Sequence, residues 1–79
     1  MARLLLVEDD SSLGRTLAER LHREGLTVEW AQTVTDARGR VDDGGWDLAI
    51  LDVKLPDGSG FDLARHIRKH TTIPIMFAS

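Results

Sequence analysis

The sequence contains no cysteine, which excludes disulfide staples and thiolate metal sites. Long apolar runs are also missing. The N-terminus offers Met1-Ala2-Arg3 and then only Leu4 to Val7 before three acids. That is too short for a signal peptide and far too short for a membrane span, so a cytoplasmic location without a membrane partner is expected. No basic block or stripe breaks the balance of 10 Lys and Arg against 13 Asp and Glu, net charge −3. Nucleic-acid binding by these residues is therefore not expected. There is no Gly-x-x-x-x-Gly-Lys phosphate loop, no Gly-x-Gly-x-x-Gly fingerprint and no Gly-x-Ser-x-Gly elbow. Repeats, low-complexity tracts and linkers are absent as well. What is present is a chain of 79 residues, 42% apolar and 29% charged, the composition of one small globular domain with a thin core.

Alternation of strand and helix patterns organises that chain. Leu4-Leu5-Leu6-Val7 and Leu48-Ala49-Ile50-Leu51 are continuous apolar runs, suited to strands buried on both faces. Leu26, Val28 and Trp30 alternate with Thr27 and Glu29, which predicts a half-buried strand at a sheet edge. Ile73 to Ala78 predicts a fourth strand. Between them, Leu13, Leu17, Ala18 and Leu21 repeat at helical spacing behind the candidate caps Ser11 and Ser12. Gly25 supplies the stop. Val34, Ala37 and Val41 form a second helical stripe behind Thr33, weakened by Gly39 and ended by Gly44-Gly45. After the turn signal Pro56-Asp57-Gly58, a third helix starts at Ser59 and closes on Arg68-Lys69-His70. This order predicts an α/β fold, a doubly wound parallel sheet with helices on both faces and right-handed crossovers.

Ligand chemistry in such sheets gathers beyond the carboxyl ends of the strands. Two buried strands end in acid there: the first in Glu8-Asp9-Asp10, the third in Asp52. Converging carboxylates repel one another and raise their pKa values unless a hard cation joins them. Mg²⁺ takes oxygen ligands and commonly combines one or two carboxylates with a phosphate. Acids ahead of a helix are also ordinary caps, so Glu8-Asp9-Asp10 alone carries little weight. Asp52 directly follows Leu-Ala-Ile-Leu, where an unpaired carboxylate is costly, and is the stronger candidate. Ser79 ends the fourth strand on the same edge, where its hydroxyl can donate to a phosphoryl oxygen held on the acid. His66 and His70, at i and i+4 on the basic end of the third helix, are expected to face solvent. Trp30 and Trp46 are expected to be packing residues.

Leu-Leu-Leu-Val-Glu-Asp-Asp at 4–10, Leu-Asp-Val-Lys-Leu-Pro-Asp-Gly-Ser-Gly at 51–60 and Ile-Pro-Ile-Met-Phe-Ala-Ser at 73–79 together resemble the receiver domain of two-component response regulators. The Glu-Asp-Asp form and the Leu-Pro-Asp-Gly-Ser-Gly loop are most similar to regulators with a winged-helix DNA-binding output. The resemblance implies a flavodoxin-like, three-layer fold with strand order 2-1-3-4. It also implies Asp52 as phospho-acceptor, Asp9 as a direct Mg²⁺ ligand and Glu8 as its water-mediated neighbour. Asp52 itself and the backbone carbonyl of Lys54 complete the implied metal set, and Ser79 is the implied switch hydroxyl. Pro56 and Gly60 match loop-shaping residues, and Asp10 a commonly acidic position. The implied partner is a sensor histidine kinase, with DNA reached only through an output domain.

The family pattern continues past Ser79 with a further helix, a fifth strand, a last helix and a lysine that pairs with the phosphoryl group. The expectation is therefore that residues 1–79 are the N-terminal portion of a receiver. Its fourth-strand side, apolar on both faces, would self-associate. Two other readings stand beside the phospho-accepting one. The first is a self-associating fragment with an idle acidic site. The second, an aspartate-nucleophile phosphatase, would want an acid where Lys54 stands.

Overall fold

In the computed structural model, residues 2–78 are described. A five-residue strand, β1 (Arg3–Val7), leads into α1 (Ser11–Arg23), and β2 (Thr27–Ala31) into α2 (Val34–Asp43). Then come β3 (Leu48–Leu51), a two-plus-two-residue hairpin of β4 (Lys54–Leu55) and β5 (Gly58–Ser59), α3 (Gly60–His70) and β6 (Ile75–Phe77). Among the described residues the main sheet has the order β2-β1-β3-β6, and every pairing in it is parallel. The expected order 2-1-3-4 is the same arrangement once the hairpin is counted.

The apolar runs take the positions their patterns require. β1 is central, with Leu4 to Val7 no more than 1% exposed, and β3 lies beside it in register Leu4 to Leu48 through Val7 to Leu51. Alternation divides the side chains of β1 between two faces. Leu5 and Val7 join Ala49, Leu51, Ala37, Val41, Leu63 and Ile67 in one cluster, so α2 and α3 share a face of the sheet. Leu4 and Leu6 point to the other face, where α1 packs against β1 and β2. β2 is the edge strand expected from its alternation, half-buried along most of its length.

The termini of the helices explain themselves locally, with one correction. Asp10, not Ser11 or Ser12, caps α1: its Oδ1 accepts from the Leu13 N–H at 3.0 Å, and both serines lie inside the helix. A carboxylate adds charge to the capping hydrogen bond, which the hydroxyls cannot. Thr33 caps α2 by accepting from Asp36 N, and Ser59 caps α3 by accepting from Phe61 N. Gly25 and Gly44 follow α1 and α2 with φ of 89° and 75°, values that favour glycine. The fourth strand is shorter than expected. Pro74 lies outside the ladder and contributes only its carbonyl, to Ala49 N at 3.0 Å.

Candidate functional site

Three acids meet at the carboxyl ends of β1 and β3. Parallel pairing brings the two strands to the same edge, and the Asp52 N–H donates to the Val7 carbonyl at 2.9 Å, which holds the third strand's end against the first. Carboxylate oxygens of Glu8, Asp9 and Asp52 all lie within 4.8 Å of one another. They are 5% exposed, exposed and half-buried respectively, so the cluster grades from core to solvent. Together with Asp10, Leu13, Leu17 and Ala78 they line an open cleft of about 590 Å³. The convergence expected of acids more than forty residues apart is thus observed.

Each acid has a different local task. Asp10 is spent on capping α1. Glu8 turns inward, and its Oε2 accepts from the Asp10 N–H at 3.0 Å. Burial pushes the Glu8 carboxyl above its usual range, and the hydrogen bond from Asp10 N–H pulls the other way. The charge of Asp52 and shared hydrogen bonds with Asp52 and Asp9 raise it further. A carboxyl raised by burial and, further, by neighbouring acids belongs to a site that gains from a cation. The donors are all oxygens, as a hard divalent ion requires.

The backbone around the cluster is fixed from three directions. Trp30, on the edge strand, donates from Nε1 to the Glu8 carbonyl at 2.8 Å. Its indole lies against Gly14 of α1, where any Cβ would overlap the ring. Gly60 N–H donates to the Val53 carbonyl at 2.8 Å, closing the loop that follows Asp52. A Cβ on Gly60 would overlap the Asp52 carbonyl oxygen, so glycine is needed for this approach. Asp57, at the hairpin turn, accepts from Val34 N–H at 2.7 Å and from Thr35 N–H at 3.0 Å, with the Thr35 hydroxyl adding a third bond at 2.7 Å. These bonds, led by the one from Thr35 N–H, hold the Asp57 carboxyl below its ordinary range. The loop after Asp52 is thereby tied to the N-terminus of α2.

Of the other expected site residues, Lys54 opens β4 opposite Ser59, with its side chain exposed. Ser79 lies outside the described residues. Trp46 packs in the core as expected, 7% exposed, and donates to the Arg40 carbonyl. Of the two histidines expected to face solvent, His70 is exposed, whereas the His66 side chain is only 16% exposed and meets Asp42 of α2 at 3.1 Å. That contact spans 24 residues and leaves no local pattern in the sequence. Asp57 was legible only as a turn residue, because its partners on α2 lie 22 and 23 residues away.

With this geometry, the chain matches known proteins along its length. The family described as response regulator receiver domain matches residues 4–79. YrkP of Bacillus subtilis, an uncharacterized transcriptional regulatory protein, is 43% identical over 75 residues, covering 95% of this chain and 32% of its own. The chain thus spans about a third of that relative's length. The non-phosphorylated HemR receiver domain from Leptospira biflexa superposes with a TM-score of 0.91 at 47% identity, covering 98% of this chain and 63% of that one. TrrA of Thermotoga maritima, in complex with Mg²⁺-BeF, superposes with a TM-score of 0.88 at 33% identity, covering 100% of this chain and 71% of that one. By fold, strand-end acids and sequence, this chain belongs to the response regulator receiver domain family.

Proposed function

We propose that the chain is the phospho-accepting module of a two-component response regulator, with Asp52 as the acceptor. The observation that carries this reading is the meeting of Asp52 with Glu8 and Asp9 at the end of a buried strand. A carboxylate oxygen of Asp52 attacks phosphorus and forms an acyl phosphate, while the donor's imidazole or carboxylate leaves with its bonding electrons. Water later hydrolyses the acyl phosphate and regenerates the carboxylate. Glu8, Asp9, Asp52 and the Lys54 backbone carbonyl are the residues that would hold Mg²⁺. Such an ion supplies charge neutralisation at the phosphoryl oxygens. The fit rests on an all-oxygen donor set and on a buried Glu8 whose carboxyl is raised by burial first and by Asp52 and Asp9 further. Ser79 is the proposed switch hydroxyl.

The donor is a sensor histidine kinase. TrrA supports this, since that receiver has also been solved in complex with the histidine kinase ThkA, at 33% identity to this chain and a TM-score of 0.89. The output is transcription, through a DNA-binding domain outside these 79 residues; YrkP, named as a transcriptional regulatory protein, supports it. A cytoplasmic location follows from that role. Among the described residues no helix is long and apolar enough to cross a membrane. Receivers are signalling modules, and the chemistry proposed is confined to the chain's own aspartate. Lys54, standing where an aspartate-nucleophile phosphatase would want an acid, speaks against turnover of an external substrate.

The test is intact-mass spectrometry after incubation with acetyl phosphate and Mg²⁺. One added phosphoryl group is expected, lost with EDTA and in Asp52→Asn. An adduct that persists in Asp52→Asn would overturn the assignment, and no adduct on the parent chain would favour an idle site.

A further inference from the structure

A second cluster of ligating side chains lies at the opposite edge of the sheet. Helices α2 and α3 run back from the acid-bearing edge, so their C-termini lie where the strands begin. Arg3, the first residue of β1, donates from Nη1 to the carbonyl of Gly44, just past the end of α2. At that edge Asp42, the penultimate residue of α2, faces His66 and His70 of α3. Asp42 Oδ1 is 3.1 Å from His66 Nε2 and 3.5 Å from His70 Nε2, and the three ligand atoms all lie within 4.8 Å of one another. The two imidazoles stand side by side, ring centroids 4.8 Å apart.

We infer that Asp42, His66 and His70 form a binding site for a first-row transition-metal dication of the zinc type. Three arguments carry it. Histidines at i and i+4 lie on one helical face, a spacing that places two imidazoles on one ion. The distances also suit the ion. Tetrahedral zinc with ligand bonds of about 2.0–2.2 Å has ligand-to-ligand edges of about 3.3 Å, and the two imidazole–carboxylate distances, 3.1 and 3.5 Å, fall on either side of it. Finally, the field is right. Asp42 stands at the C-terminus of α2, where a carboxylate opposes the macrodipole and gains from a neighbouring cation, whereas α3 already ends on Arg68, Lys69 and His70. A bound dication offsets the charge of Asp42.

The chemistry separates this site from the acidic one. Two nitrogens and one oxygen suit zinc, nickel or copper, whereas magnesium prefers oxygens. His66 is largely covered, while Asp42 and His70 are 57% and 47% exposed, so an ion has both an entry path and a fourth position for water. Bound there, it would clamp the end of α2 to the end of α3.

The test is calorimetric titration of Zn²⁺ into the 79-residue chain in excess Mg²⁺, added to fill the proposed acidic site. One zinc per chain is expected, with affinity falling about tenfold or more in His70→Gln and in Asp42→Asn. Asp52→Asn and His22→Gln should bind as the parent does. Co²⁺ as a spectroscopic probe should give visible absorption bands that disappear in His70→Gln, with the helical circular dichroism of that variant unchanged. At free zinc about a hundredfold above its dissociation constant, the melting temperature should rise by roughly 10–20 °C. Equal zinc affinity in the parent and in both site variants, or no zinc uptake by the parent, would overturn the inference.

Discussion

Gly39 and Gly60 both lie in helices, yet alanine should act on them with opposite sign. Gly39 is interior to α2, and a Cβ built there meets nothing within 4 Å. Only the backbone term remains, and glycine costs about 1 kcal/mol relative to alanine in a helix interior. Gly39→Ala should therefore raise the melting temperature by about 4–8 °C for a domain of this size. Gly60 is the first residue of α3, and its Cβ would overlap the Asp52 carbonyl oxygen while approaching Asp52 C at 3.0 Å and Val53 Cα at 3.1 Å. These are backbone atoms, which cannot rotate aside as a side chain can. Overpacking of this kind costs about 1–3 kcal/mol, more than the small propensity gain at a first helical position. Gly60→Ala should lower the melting temperature by roughly 5–20 °C. It should also weaken the proposed Mg²⁺ binding, because the strained segment carries Asp52. Thermal melts followed by circular dichroism read both variants. A Gly60→Ala protein melting at or above the parent would refute the close approach of α3 to Asp52.

Other consequences are more quickly stated. Ile67, fully buried against the sheet, should cost about 2–5 kcal/mol as Ile67→Ala, read as a lower urea midpoint with an unchanged slope. The Asp57 carboxyl is depressed in the folded chain, so its contribution is fully present above the ordinary carboxylate range and is lost as pH falls toward the folded value. Urea titrations at neutral and acid pH should show a steeper loss on acidification in the parent than in Asp57→Asn, and parallel curves would contradict this. Phe61, Met76 and Phe77 are 51%, 58% and 44% exposed along β6 and α3, with Phe61 and Phe77 in ring contact. That surface supports the proposed self-association, which predicts sedimentation coefficients that rise with concentration; a monomer at all concentrations would remove it.

How much of this was legible in sequence depends on the reach of each interaction. Leu4 to Val7 and Leu48 to Leu51 announced buried parallel strands because burial on both faces leaves a continuous run. Acids at the ends of those runs then located the cluster, since parallel topology alone brings strand ends to one edge. Capping was legible only in kind: Asp10, Ser11 and Ser12 are all good caps, and the choice falls to whichever side chain can reach Leu13 N. The hairpin of β4 and β5 is too short to leave a hydrophobic pattern. Contacts from Asp57 to Thr35 and from His66 to Asp42 depend on how helices settle against the sheet, which no local spacing records.

The two tryptophans divide the molecule in a way that is useful at the bench. Trp46 is buried among the core side chains, with Arg3 stacked over its ring. Trp30 instead holds the carbonyl of Glu8, beside the acids, from a half-buried edge strand. With no tyrosine in the chain, ultraviolet emission comes almost wholly from these two indoles. Each Trp→Phe single variant therefore isolates one voice: Trp30 to report the proposed cation or phosphoryl group beside Glu8, Trp46 to report loss of the core. The protein carries its own pair of optical probes, one for ligation and one for unfolding.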